Sequence, residues 1–393
     1  MKKVLIINLG WEQEPLIKNL HSRGMLLFGV HGSSHVDLYD LFEEVLITDI
    51  RNLDVILDFA HKIKPDAVIS DQCDYSHFAQ AIVAEHYHLP GPKISQAQIS
   101  SNKFLQRTKA KEAGVCIPDF KLIDSIDDVY QFAETKGFPF ILKPIDNRGS
   151  FGVSKVENKA SIELAYENAI INSHSRLVIA EQFIAGVEIT VDGYCFKDEA
   201  VSLTVAKKGH INESTQVSVD IKYPGEFNID IYERILKNNE DVISKLGYSF
   251  GMTHAEYMLT NGGDIYLIEA ANRGGGVFTS EIIVPQVSGV DILSIYIDAC
   301  LGYNTPSRPD HIEKNETILK FFSFKPGEIR DIIGLDALSN DSDVLKFRLS
   351  VKPGDIIQPI STDANRHGFI IVSDVNVRER ADRIMENIIV DYK

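Results

Sequence analysis

The stretch HAEYMLTNGGDIYLIEAANRGGG, His254 to Gly276, places two glutamates, an arginine and three glycines in a spacing that asks for a cation. Strand-forming residues flank Asn261-Gly262-Gly263-Asp264, so the segment reads as a β-hairpin. With Gly262 and Gly263 as a two-residue loop, Asn261 pairs with Asp264, and Glu256 with Glu269. Like charges directly opposed on a sheet are destabilising, and the neighbours Tyr257, Met258, Leu267 and Ile268 imply burial on both faces. Two ionised carboxylates in that setting are costly without a cation. Mg²⁺ is the natural one, since it binds one or two carboxylates together with substrate phosphates. Two other readings compete: a twisted hairpin in which both acids reach water, and a bulge that slips the register and sends them to opposite faces. Arg273 is placed to neutralise charge on a transferring phosphoryl group. Gly274, Gly275 and Gly276 let a substrate lie against the backbone.

Two upstream stretches supply what such a cation would accompany. In PFILKPIDNRGSFGV a strand delivers Lys143, and a turn then holds Asn147, Arg148, Gly149, Ser150 and Gly152. Glycines allow backbone N–H groups to approach a polyphosphate, and the basic residues add positive charge. No GK[ST] opens a helix, so this is not a Walker A loop; an ordinary glycine-containing hairpin is the plain alternative. In VIAEQFIAGVEITVDG an apolar strand runs into Glu181, Gln182, Phe183 and Ile184, turns at Gly186 and resumes at Glu188. An extended linker of this kind offers backbone groups to a purine edge, and Glu188 can accept from two ribose hydroxyls. A strand–turn–strand with solvent-facing acids is the alternative.

The elements that must carry these side chains are legible around them. The first ninety or so residues alternate short apolar strands (VLIINL, LLFGVH, EVLITDI, DAVIS) with helical segments (EPLIKNLHSRG, LDVILDFAHKIKP), which predicts βαβ units and a parallel sheet. The first turn, NLGWEQEP, lacks GxGxxG and excludes the usual dinucleotide site there. After a helix in SSNKFLQRTKAKEAGVCIPDF the pattern becomes strands mixed with helices, and Thr305 to Glu316 is the best linker candidate. Strands around ILKFFSF, VLKFRLSV and GFIIVSD and a last helix, VRERADRIMENII, make a small α+β tail.

The composition is that of a globular protein, with 44% apolar and 24% charged residues. At 393 residues, two or three domains are expected. A formal charge of −16 argues against nucleic-acid or anionic-membrane binding. Cys73, Cys116, Cys195 and Cys300 show no metal-like spacing and suit a reducing compartment. The amino terminus reads as a first strand and not a signal peptide, and no apolar run approaches the roughly 20 residues that span a bilayer. The expectation is a cytoplasmic protein. Among the remaining polar residues, His254 reads as a packed, hydrogen-bonded histidine. Lys207, Lys208 and His210 read either as contacts to an anionic substrate or as a solvated strand end, and Asp71 and Asp74 as possible substrate contacts at a strand's carboxyl end.

Taken in order, SSNK, KP…RGSFGV, EQFIAGVE, HAEY and IEAANRGGG resemble the ATP-grasp superfamily over nearly the whole chain. The resemblance implies an α/β and α+β architecture. It comprises a Rossmann-like pre-ATP-grasp domain over residues 1–98, a two-lobed ATP-grasp domain over 99–305 with its lid lobe at 125–187, and a carboxy-terminal α+β domain over 306–393. It implies that Lys103 and Lys143 hold ATP phosphates and that Gly149, Ser150 and Gly152 form the phosphate-covering loop. Glu181, Gln182, Phe183 and Ile184 would contact adenine, and Glu188 the ribose. Glu256 and Glu269 would bridge Mg²⁺ (two ions, with Mn²⁺ as a substitute), and Arg273 would steady an acyl phosphate. The family's E-x-N-x-R pattern is broken here: Ala271 occupies the asparagine position, and Asn272 follows one residue late as a metal ligand.

The hairpin, the LPGPKISQAQISSNKFLQ lead and the tail FSFKPGEI…GFIIVSD are similar to those of bacterial L-amino-acid (dipeptide) ligases. That similarity implies an ATP-dependent coupling of a small carboxylate to an amine through an acyl phosphate, in a possible homodimer, with Arg366 and His367 closing the substrate pocket. A biotin-carboxylase-like or purine-biosynthetic enzyme using carboxyphosphate is the alternative within the superfamily. A non-catalytic nucleotide-binding protein is the alternative outside catalysis.

Overall fold

The computed structural model describes every residue except 148, 198, 211–216, 304–307, 311, 361, 363 and 364. Arg148 and part of the expected linker therefore lie outside the described residues. The chain begins with a four-stranded parallel sheet in the order Phe42–Ile47, Leu26–His31, Lys3–Ile7, Ala67–Ile69. Helices Glu14–Ser22, Leu53–Ile63 and Asp74–Tyr87 cover it. Val4, Leu5, Ile6 and Ile7 are all fully buried, as expected of a parallel strand packed on both faces.

Helices Ile94–Ser101 and Lys103–Glu112 lead into a four-stranded antiparallel sheet in the order Phe120–Ile123, Val178–Gln182, Phe140–Pro144, Ser154–Val156. Helices Ile126–Lys136 and Ile162–Ile171 pack on it around Phe132, Phe140, Leu142 and Val178, giving the small lobe its own core. Asn102 starts the Lys103–Glu112 helix by accepting the Leu105 N–H at 3.0 Å.

The largest sheet has eight strands, ordered Ile265–Ala271, Phe250–Leu259, Val187–Phe196, Glu199–His210, Ser218–Tyr223, Thr317–Phe321, Gly368–Ser373 and Val344–Leu349. Its last three strands come from the tail, joined edge to edge where Ser218–Tyr223 pairs with Thr317–Phe321. A boundary at 305/306 thus divides the sequence but not the sheet. Helix Ile229–Leu246 lies on the sheet; Asn228 caps its start, and Gly247, at φ +81°, ends it.

One apolar cluster ties Val4, Ile6 and Leu16 to Phe196, Met252 and Tyr296, docking the first domain on the large sheet. A second joins Trp11, Tyr223, Phe278, Phe321 and Phe369, where all three parts of the chain meet. Among the described residues, no helix is long and apolar enough to cross a membrane.

Candidate active site

The hairpin Phe250–Leu259/Ile265–Ala271 puts Glu256 opposite Glu269, although not by the turn that the glycines suggest. Thr260 to Asp264 form the connection, with Leu259 paired to Ile265, instead of a two-residue Gly262-Gly263 loop. That slips the register by one residue. A bulge at Ile268, between the pairs Tyr257–Leu267 and Glu256–Glu269, slips it back. Both carboxylates consequently line one cavity of about 620 Å³ between the small lobe and the large sheet.

Each acid is answered by a lysine. Lys103 Nζ lies 2.9 Å from Glu269 and also donates to the Asn147 carbonyl at 2.8 Å. Burial opposes the Lys103 charge, but Glu269 outweighs it and raises the pKa. Lys208 Nζ bridges Glu188, at 2.7 Å, and Glu256. Burial favours the neutral acid at Glu256, yet Lys208 and the His254 imidazole hold its carboxyl well below the usual range. His210 Nε2 also lies 3.0 Å from Glu188, so Lys208 and His210 find their partners within the chain and do not form a solvated strand end. Lys207 is not on the cavity wall.

Lys143 enters from the strand Phe140–Pro144, almost fully buried, and its ammonium lies 2.8 Å from Glu181. Burial pulls the Lys143 pKa down, with Glu181 partly restoring it. The other partner of Glu181 is Arg107, fully buried on the Lys103–Glu112 helix, with Nε at 2.9 Å. Arg107 also donates to the Ile268 carbonyl in the bulge at 2.6 Å. Sequence reading passed over Arg107 because a basic residue in QRTKAKE looks like part of a solvated helix face. Glu181 thus serves as an internal counter-ion. Gln182, Phe183 and Ile184 connect the small-lobe strand Val178–Gln182 to the large-sheet strand Val187–Phe196 and line the cavity.

The loop after Lys143 brings Gly149 and Ser150 to the same wall, both left-handed at φ +62° and +61°. Gly152, at φ +74°, permits close packing: a Cβ there would lie 2.8 Å from the Pro144 ring and from Asn172. Successive backbone N–H groups in such conformations make anion-binding concavities.

Arg273 lines the cavity with its guanidinium forked on Asp74, Nε at 2.9 Å and Nη2 at 3.0 Å. Burial opposes its charge, and Asp74 raises the pKa above the already high value of arginine. Asp74 opens a helix of the first domain, so this pair also links two domains. Asn272 is not brought to the site. It is almost fully buried, and its Nδ2 donates to the Phe250 carbonyl at 2.9 Å and the Met252 carbonyl at 3.2 Å. The strand alternation that aims Glu269 and Arg273 at the cavity turns Asn272 into the interior, off the cavity lining that holds the two acids. Glu256 and Glu269 alone suit Mg²⁺, whose other ligands come from phosphate and water. No cluster of three or more metal-ligating Asp, Glu, His or Cys residues exists among the described residues.

His254 is hydrogen-bonded as expected, with Nδ1 2.7 Å from Asp192, but it also lines the cavity. Asp192 in turn accepts from the Tyr223 hydroxyl at 2.9 Å. Burial alone would depress the imidazole, yet Asp192 raises its pKa to about 9. Asp71 is buried behind Gly274, whose N–H it accepts at 3.1 Å, and does not face the cavity. Arg366 reaches the cavity; His367 does not, lying stacked on Phe324 with its Nε2 donating to the Gln358 carbonyl at 3.1 Å. Trp11 and Glu12 also line it, and sequence reading assigned them nothing.

Residues 136–281 match the ATP-grasp domain model, and residues 320–393 match L-amino acid ligase C-terminal domain 2. An L-arginine-specific L-amino acid ligase of Bacillus subtilis is 22% identical over 363 residues, covering 88% of this chain and 84% of the relative. A formate-dependent phosphoribosylglycinamide formyltransferase of Prochlorococcus marinus is 24% identical, covering 97% and 96%. The crystal structure of an L-amino acid ligase from Bacillus licheniformis superposes with a TM-score of 0.87 at 20% identity, covering 100% of this chain and 99% of the other. The likeness shows the ATP-grasp fold.

Proposed function

We propose that the chain is an ATP-grasp enzyme of the C–N bond-forming ligase class that activates the carboxylate of an amino acid or peptide-like substrate with ATP and couples it to an amine. The carrying observation is that Glu256, Glu269, Lys103, Lys143 and Arg273, drawn from four elements and the loop after one of them, line a single cavity. The ligase-type tail supports amino-acid chemistry over carboxyphosphate formation from bicarbonate.

In the first step the substrate carboxylate oxygen forms a bond to the γ-phosphorus, the bond to the β,γ-bridging oxygen breaks, and ADP leaves. In the second the amine nitrogen bonds to the acyl carbon, the carbon–oxygen bond breaks, and phosphate leaves with loss of one proton from nitrogen. Glu256 and Glu269 would hold Mg²⁺, which supplies charge neutralisation at the phosphates when bound. Lys143 and Lys103 present positive charge to the phosphates, and Arg273 presents its guanidinium to the acyl phosphate. The protein's work is positioning and electrostatics. The Gly149–Gly152 loop covers the phosphates and excludes water, whose attack on the acyl phosphate is the competing reaction.

The test incubates the protein with ATP, Mg²⁺, pooled amino acids and small acids, and looks for amide products by mass spectrometry alongside ADP. Separate arms with formate and with bicarbonate identify the alternative chemistries. Light scattering at two protein concentrations tests the homodimer that the resemblance implies.

A further inference from the structure

The first turn of the chain, Gly10-Trp11-Glu12-Gln13, holds no part of the phosphate site, yet it reaches the same cavity. The turn Trp11–Gln13 is pinned to the end of the strand Ala67–Ile69: Gln13 Nε2 donates to the Asp71 carbonyl at 3.1 Å, and Gln72 Nε2 to the Glu12 carbonyl at 3.2 Å. The Trp11 ring stacks on Phe369, with centroids 5.5 Å apart and planes at 22°, and meets the Phe278 edge at 5.3 Å. Trp11, Val277, Leu319, Phe321 and Phe369 pack together and give the cavity an apolar stretch of wall, the chamber considered below. Glu12 is the acid on that wall, held by the Val277 N–H at 2.9 Å. The loop that carries Arg273 passes beside it: a Cβ on Gly276 would lie 3.7 Å from Glu12 Oε1.

We propose that this chamber binds the side chain of the amino acid whose carboxylate is activated, that it selects bulky apolar or aromatic side chains, and that Glu12 receives the substrate's α-ammonium. The inference rests on the ligase reading above and names its substrate class. An α-amino acid carries its ammonium and carboxylate on one carbon, so their two recognition groups must be close neighbours. Glu12 and Arg273 both line the cavity and are connected through the Gly274–Val277 segment, which starts beside Arg273 and donates its Val277 N–H to Glu12. A neutral polar side chain would lose hydration against this apolar wall, and the ring faces that could take a cation are already covered by arginines. Arg366, whose guanidinium lies 3.6 Å from the Phe321 centroid, and Arg348, 5.0 Å from that of Trp11, add repulsion toward a basic one.

Trp11 is the only tryptophan of the chain, so its fluorescence reports chamber occupancy without turnover. The full-length protein with ADP and Mg²⁺ is titrated with L-phenylalanine, L-leucine, glycine, L-glutamate and L-arginine, with calorimetry on the same solutions. L-Phenylalanine and L-leucine are expected to bind saturably, at least about tenfold tighter than the other three, and to change the Trp11 signal. Glu12→Gln is expected to weaken L-phenylalanine binding at least about tenfold with ADP binding unchanged. Equal or tighter binding of L-arginine or glycine, a heat of binding with no change at Trp11, or an unaffected Glu12→Gln variant overturns the proposal. Amide formation from L-arginine but not from apolar amino acids would defeat this assignment alone. Absence of nucleotide binding and of ADP release would defeat the ligase reading itself.

Discussion

Glu256 and Glu269 stand opposite one another because two register shifts cancel, one at the Thr260–Asp264 turn and one at the Ile268 bulge. The pairing depends on the bulge, where Arg107 Nη2 donates to the Ile268 carbonyl at 2.6 Å. On the proposed function, replacing either acid would remove a ligand from the nucleotide–metal site. Glu269→Gln is expected to lower substrate-dependent ADP release at least about 100-fold and to weaken the Mg²⁺ dependence of nucleotide binding. Native turnover by that variant would refute the pair's role.

Asp74 fixes the Arg273 guanidinium by a bidentate contact across a domain boundary. Asp74→Asn should let the guanidinium wander from the acyl phosphate, reducing kcat/KM for the carboxylate substrate about 10- to 100-fold while the KM for ATP stays near native. Arg273→Lys should lose at least as much, because an ammonium cannot reproduce the fork. Steady-state kinetics with each substrate varied in turn separates the two effects.

Glu181 is the lone carboxylate between Arg107 and Lys143 in a buried triad. Removing it leaves two like charges facing each other without a counter-ion. Glu181→Ala should cost about 3–5 kcal/mol of stability, read as a drop in the denaturant midpoint. A variant as stable as the native protein would show that water or rearrangement compensates.

His77 is buried beside Asp74 and Arg273, and burial pushes its imidazole down to about 4. Its ring nitrogens have no hydrogen-bond partner among the described residues. An unfolded chain takes up a proton near pH 6.5 that the fold refuses until about 4, so the stability present above pH 6.5 falls through that window. The loss reaches about 3 kcal/mol at the acid end. Denaturation midpoints between pH 7 and 4 should decline less steeply for His77→Leu than for the native chain; parallel profiles would contradict the assignment.

Much of this site was legible because its residues recur at fixed places on strands. Lys143, Glu181, Glu256 and Glu269 sit on alternating apolar strands whose faces can be counted, and their cavity location follows from that count. The turn was misread because Asn-Gly-Gly-Asp favours a tight loop, whereas the chain takes a longer connection and corrects the register at a bulge that no residue type announces. Asn272 shows the same alternation working against a motif-based expectation: one residue of displacement turns an amide inward. Arg107, Asp74 and Trp11 belong to contacts between distant segments. Nothing local distinguishes a buried arginine in QRTKAKE from an exposed one, and nothing in NLGWEQEP says that its tryptophan meets Phe369. The tail read as a separate domain because its strands follow a polar linker, while its pairing with Ser218–Tyr223 is a long-range event.

On the proposed function, this cavity couples ATP cleavage to amide formation. The most direct measurement quantifies ADP and amide together, by mass spectrometry, in reactions of the native protein and of Glu269→Gln with ATP, Mg²⁺ and pooled amino acids. ADP and amide are expected in equal amounts from the native protein, dependent on amino acids, and neither from the variant. ADP release driven by bicarbonate without any amide, or no ADP release under any of these conditions, would contradict that function.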